Sequence, residues 1–133
     1  MKGVVLDASA VMTLFEGCPG AAMVAELVND ALAGKNVLLM SVVNWGEVYY
    51  SMWRRKGLET ADDALDKIAR MPIEVVSADG PLTKIAAEIR ALHKLPYADC
   101  FAAALARQRG AAIATADRDF ARIEKMVEIY WTL

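Results

Sequence analysis

The chain has 133 residues, 56% of them hydrophobic, and a formal net charge of −2. That length predicts one domain with a buried core. The near-neutral balance excludes a scaffold of the histone or basic-arm kind, yet admits an enzyme that gathers acids at one site and bases around it.

The apolar runs are too short to span a bilayer, and Lys2 is followed by a brief apolar stretch ending at Asp7 rather than by a signal-peptide core. A cytoplasmic protein that uses no membrane is expected. Gly3 to Leu6 reads as a buried strand. After a segment of small residues, Pro19 opens a helix with Met23, Leu27, Val28, Ala31 and Leu32 at helical spacing, stopped by Gly34. Val37 to Val43 is a second apolar run, followed by a helix containing Glu47, Val48 and Met52 and closed by Gly57. Thr60 with Asp63 has the spacing of a capping box and predicts a helix to about Arg70, ended by Pro72. Glu74 to Ala78 is a third strand, and Pro81 opens a helix through about His93. Pro96 restarts the chain as a helix from Tyr97 to Gly110. Ala111 to Thr115 is a fourth strand, Asp119 to Ile123 a short helical turn, and Val127 to Trp131 a fifth strand. Strands alternating with helices make this an α/β chain with a mostly parallel sheet and right-handed crossovers.

In open parallel sheets the ligand crevice lies beyond the carboxyl ends of the strands. Asp7 ends the first strand, Glu47 is placed in the first turn of the helix after the second, and Asp117 follows the fourth. Asp99 falls in the first turn of the helix after Pro96, where the helix dipole favours an ionised acid. Carboxylates crowded into one pocket repel one another, and a divalent cation removes that cost. Oxygen ligands without histidine or cysteine favour magnesium or manganese over zinc. Water held by such a cation is a nucleophile for phosphodiester hydrolysis.

Each acid also has an ordinary reading. Glu47 completes a capping box with Asn44, Asp99 serves the helix dipole, Asp117 makes a turn, and Asp7 caps the segment that follows it. Independent structural acids have no reason to converge on one edge of one sheet, and this favours the joint reading.

The segments Val4-Val5-Leu6-Asp7-Ala8-Ser9, Glu47, Pro96-Tyr97-Ala98-Asp99 and Thr115-Ala116-Asp117-Arg118-Asp119-Phe120 resemble, in order, the acidic motifs of PIN domains. The match covers essentially the whole chain, 1–133, and its length resembles the VapC-type toxins of toxin-antitoxin pairs. The resemblance implies a single nuclease domain, a three-layer α/β/α sandwich with strand order 3-2-1-4-5, and magnesium- or manganese-dependent cleavage of RNA. It maps Asp7, Glu47, Asp99 and Asp117 onto the family's metal ligands. Ser9 and Thr115 fall on its hydroxyl positions and Asp119 on an auxiliary acid. It also implies a homodimer and a VapB-type antitoxin. Ala116 departs from the family's usual glycine, and a turn needing positive φ would strain it. The alternatives are a phosphohydrolase or phosphoacceptor domain and a non-catalytic module binding RNA or a peptide.

Other residues read less sharply. Arg54, Arg55 and Lys56 form a basic helix end, and Lys84, Arg90, Lys94, Arg107 and Arg109 are candidates for a phosphate track. Trp45, Tyr49, Tyr50, Met52 and Trp53 make their helix apolar around much of its circumference, fitting either a partner groove or a sandwiched helix. His93 reads as a helix-end residue, and Cys18, Cys100, Met12, Met23 and Met40 as core.

Overall fold

A computed structural model describes residues 2–133. Five strands, β1 (Lys2–Leu6), β2 (Asn36–Ser41), β3 (Ile73–Val76), β4 (Ala112–Thr115) and β5 (Ile129–Trp131), form one sheet in the order β3-β2-β1-β4-β5. Every neighbouring pair is parallel. Parallel neighbours require long crossovers, which the helices supply. These are α1 (Ala8–Glu16), α2 (Ala21–Leu32), α3 (Val42–Lys56), α4 (Leu58–Arg70), α5 (Gly80–Leu92) and α6 (Tyr97–Arg109), with a 3-10 helix over Arg118–Ile123.

Alternation along the strands divides the core between the two faces of the sheet. Val5, Leu39 and Ile113 face one side and pack with buried residues of α5, α6 and the 3-10 helix, Leu82, Ile89, Leu105 and Phe120 among them. Val4, Leu6, Leu38, Met40 and Ala114 face the other, against α1 to α4. The result is the expected three-layer α/β/α sandwich. The consecutive alanines Ala102, Ala103 and Ala104 are fully buried and let α6 lie close to the sheet. The chain builds outward from β1 to β3 on one side and from β4 to β5 on the other. The strand order therefore reverses between β1 and β4, opening a crevice at their carboxyl ends.

Several local expectations change. The small residues after Asp7 form α1, whose Ala8, Ala10 and Val11 are buried; alanine is the strongest helix former, and Asp7 itself supplies the cap. The helix α4 starts at Leu58 behind Gly57, so Thr60 lies inside its first turn and does not cap it. Ser41 ends β2 and caps α3 by accepting from the Val43 amide, which places Glu47 in the second turn of α3 rather than the first. β3 and β5 are shorter than their apolar runs, ending at Val76 and beginning at Ile129. Cys18 is exposed in the turn between α1 and α2, whereas Cys100 is core. Met40 is fully buried, and Met12 and Met23 are half-buried. No single helix among the described residues is long and apolar enough to cross a membrane.

Candidate metal centre

Asp7 is buried where β1 ends, and three donors fix its carboxylate. Oδ1 accepts from the Ala10 amide at 2.9 Å and from Ser9 Oγ at 2.8 Å; Oδ2 accepts from Thr115 Oγ1 at 2.6 Å. The two hydroxyls lie 3.2 Å apart and serve the neighbouring loop as well. Ser9 Oγ accepts from the Ala116 amide at 3.0 Å, and Thr115 Oγ1 from the Asp117 amide at 2.9 Å. The ends of β1 and β4 are thus stitched together at the crevice. Ala116 bears no left-handed strain, since no described residue other than glycine has positive φ.

Glu47 is oriented by Asn44, whose Nδ2 donates to Glu47 Oε1 at 2.8 Å and to the Ala98 carbonyl at 3.1 Å. This is a side-chain bridge rather than a capping box, and it ties α3 to the first turn of α6. Asp99 lies in that turn, buried, and its Oδ2 has no hydrogen-bond partner. Asp117 caps the 3-10 helix, accepting from the Asp119 amide at 2.9 Å. Carboxylate oxygens of Asp99, Asp117 and Asp119 all lie within 4.8 Å of one another. Asp119 also accepts from Arg122 at 2.8 Å.

Asp7 and Glu47 border this trio and are felt by it. Burial, then the charge of Asp117, pushes the Asp99 carboxyl up to about 8, with Asp7 and Glu47 adding to the rise. Burial likewise raises Asp7 to about 6 against the pull of its three donors, and raises Glu47 against Asn44. Negative charge here is under-compensated by the protein, and a buried carboxylate oxygen stands without a donor. Unpaired buried acceptors are costly, and hard oxygens alone define the cluster. The donor set fits a divalent cation of the magnesium or manganese type.

The PIN domain family matches residues 4–126. The chain belongs to the PIN domain family. Solved structures share this PIN fold along nearly their whole length. VapBC2 from Rickettsia felis, solved bound to a DNA fragment from its promoter, aligns with a TM-score of 0.75 at 18% identity, over 97% of this chain and 98% of that one. DNA-bound VapBC from Salmonella typhimurium aligns with a TM-score of 0.74 at 20% identity, over 100% of both chains. Mycobacterium tuberculosis VapC20, a sarcin-ricin loop cleaving toxin, aligns with a TM-score of 0.69 at 22% identity, over 89% of this chain and 92% of that one. At these identities the likeness is one of fold. No curated protein matches the chain.

The remaining candidates scatter. Arg55 pairs with Glu16 and Arg54 lies over the Tyr50 ring, so this helix end is solvated and locally engaged. Arg107 and Arg109 end α6, about 12 and 15 Å along the helix from Asp99; Arg109 pairs with Glu74 there. The helix α3 packs on α4 and buries Met52, while Tyr50 and Trp53 remain half exposed. His93 ends α5. Asn44 was legible only as a cap three residues before Glu47; its bridge to Ala98 depends on a contact across 54 positions.

Proposed function

We propose that this PIN domain is a magnesium- or manganese-dependent endoribonuclease, the toxin of a VapBC-type pair. It acts in the cytoplasm as a homodimer and is held in check by a VapB-type antitoxin. The observation that carries the reading is the trio Asp99, Asp117 and Asp119, together with the buried Asp99 Oδ2 that has no hydrogen-bond partner. The VapBC neighbours support the antitoxin, and the sarcin-ricin loop cleaving neighbour supports RNA as the substrate class.

Asp7, Glu47, Asp99 and Asp117 would hold the cation, with Asp119 auxiliary. A cation so held supplies water activation and stabilises charge on the phosphodiester. The chain's own residues do the positioning. Ser9 and Thr115 fix both oxygens of Asp7, Asn44 fixes Glu47, and the 3-10 helix fixes Asp117 through its capping bond. Such outer partners set ligand orientation.

The test is cleavage of mixed cellular RNA by the purified, antitoxin-free chain with magnesium, with manganese and with chelator, beside Asp99→Asn. Cleavage that needs metal and is lost in the variant is expected. Intact RNA after incubation with folded, metal-loaded protein would overturn the reading.

A further inference from the structure

A cluster of acids repels the polyanion it is meant to cut, so the substrate backbone needs cations beside it. Several basic side chains of this chain are engaged elsewhere. Lys2 pairs with Glu128 at the far end of the sheet, Lys67 with Asp63 on α4, and Arg118 lies over the Trp131 ring and donates to the Leu133 carbonyl. Arg122 is bonded directly to one of the acids. Arg122 donates to Asp119, itself a member of the trio, so its guanidinium stands one carboxylate away from Asp99 and Asp117. From there a cleft of about 420 Å³ opens, lined by Arg122, Lys125 and His93, with Met126 on its wall and Glu124 as its acid. The side chain of Arg122 is 51% exposed. A guanidinium carries five donors, and one bond to Asp119 leaves most of them for phosphate oxygens. Lys125 makes no ion pair among the described residues. Asp119 of the 3-10 helix thus belongs to the trio, while Arg122 on the same helix and Lys125 just beyond it line the cleft.

We infer that this cleft is the backbone-binding subsite of the nuclease, in which Arg122, Lys125 and His93 hold phosphates of single-stranded RNA flanking the bond to be cut. The inference rests on the ribonuclease reading and adds where, and by which residues, the substrate is held. Arg122 and Lys125 are positioning residues; they act on the substrate backbone, outside the acid cluster. Arg122 also changes partners in this scheme. Its bond to Asp119 is available to phosphate once a cation neutralises the acids.

The experiment measures binding of a fluorescent single-stranded RNA to the Asp99→Asn chain by anisotropy across a salt series. The same series is run with Lys125→Ala and with Arg122→Gln added, and with Arg107→Ala, at the far end of α6, as control. Single-strand binding weakens with salt by a slope of about 0.7 per neutralised phosphate, so each cleft variant should lose several-fold in affinity and about 0.7 in slope, the control neither. In the cleaving chain, Lys125→Ala should raise KM several-fold with little change in kcat, a split that a merely structural role does not produce. If the cleft variants bind with unchanged affinity and slope, or Arg107→Ala weakens binding equally, the subsite is wrong while the nuclease stands. If the parent chain binds no RNA at low salt, the ribonuclease reading falls and the subsite with it.

Discussion

Thr115 donates a 2.6 Å hydrogen bond to Asp7 across 108 positions of sequence. The same hydroxyl accepts from the Asp117 amide, so one atom at the end of β4 orients acids from two strands. Thr115→Val keeps the shape and removes both bonds, along with the 3.2 Å contact to Ser9 Oγ. A buried carboxylate oxygen left short of a donor costs about 1–3 kcal/mol, and losing an outer partner of a metal ligand costs roughly 10–100-fold in activity. Thermal unfolding and RNA cleavage should both fall in Thr115→Val and largely recover in Thr115→Ser.

Asn44 separates orientation from folding. Asn44→Ala leaves Glu47 and the Ala98 carbonyl without their shared donor. Manganese titration by calorimetry should show affinity weakened by about 10–100-fold. Unchanged affinity would remove Glu47 from the ligand set.

Stability without metal should decline as pH rises. Asp7 is raised to about 6 and Asp99 to about 8, both above the unfolded value of about 3.9. The folded state therefore binds protons that the unfolded state has released. Stability is fully present below about pH 4 and is lost through about 6 for Asp7 and about 8 for Asp99. Chelated protein should show a falling urea midpoint across this window, with magnesium restoring more at the alkaline end, because ligands bind metal deprotonated. A flat chelated profile would contradict the crowding of charge.

Asp99→Asn follows from the same electrostatics. It deletes a desolvated charge facing Asp117, and metal-free protein at pH 8 should gain about 1 kcal/mol or more, a rise of several degrees in Tm. The gain should come with loss of the magnesium response and of cleavage. A variant less stable than the parent in chelator would assign Asp99 a structural role.

Two glycines at positive φ offer a contrast. A Cβ on Gly20 (φ +99) would lie 1.9 Å from the Thr132 carbonyl oxygen, whereas one on Gly17 (φ +62) meets nothing within 4 Å. Gly20→Ala should cost well over 2 kcal/mol, combining backbone strain with displacement of the residues after β5, and Gly17→Ala about 1 kcal/mol. Urea denaturation distinguishes them.

The carboxyl ends of β1 and β4, the helix after Pro96 and the order of acids were legible because each is written in contiguous residues: an apolar run, a proline, a carboxylate. What escaped was set by packing or by single torsions. Ala8 to Ala10 carried no apolar stripe long enough to announce α1, and the cap that starts it was already read as a ligand. Thr60 had the right spacing for a cap but lost to Gly57, whose positive φ turns the chain three residues earlier. Ala116 fits a turn that needs no left-handed residue, because Ser9 reaches across from α1 to bind its amide. Asp119 ranked as auxiliary from sequence, yet its carboxylate falls within the tightest trio; only the capping bond from its amide to Asp117 brings it there.

The double duty of Asp7 has a genetic consequence. Its carboxylate is at once the cap of α1 and the anchor for the Ser9 and Thr115 hydroxyls, so a codon change there loses a helix start along with a pocket. Asp119, bonded through its side chain to exposed Arg122, has no such second obligation. In a library of variants scored first for soluble expression and then for RNA cleavage, position 7 should be depleted at the first screen and position 119 only at the second. Lineages that drift away from activity have a passable route through Asp119 and a nearly closed one through Asp7.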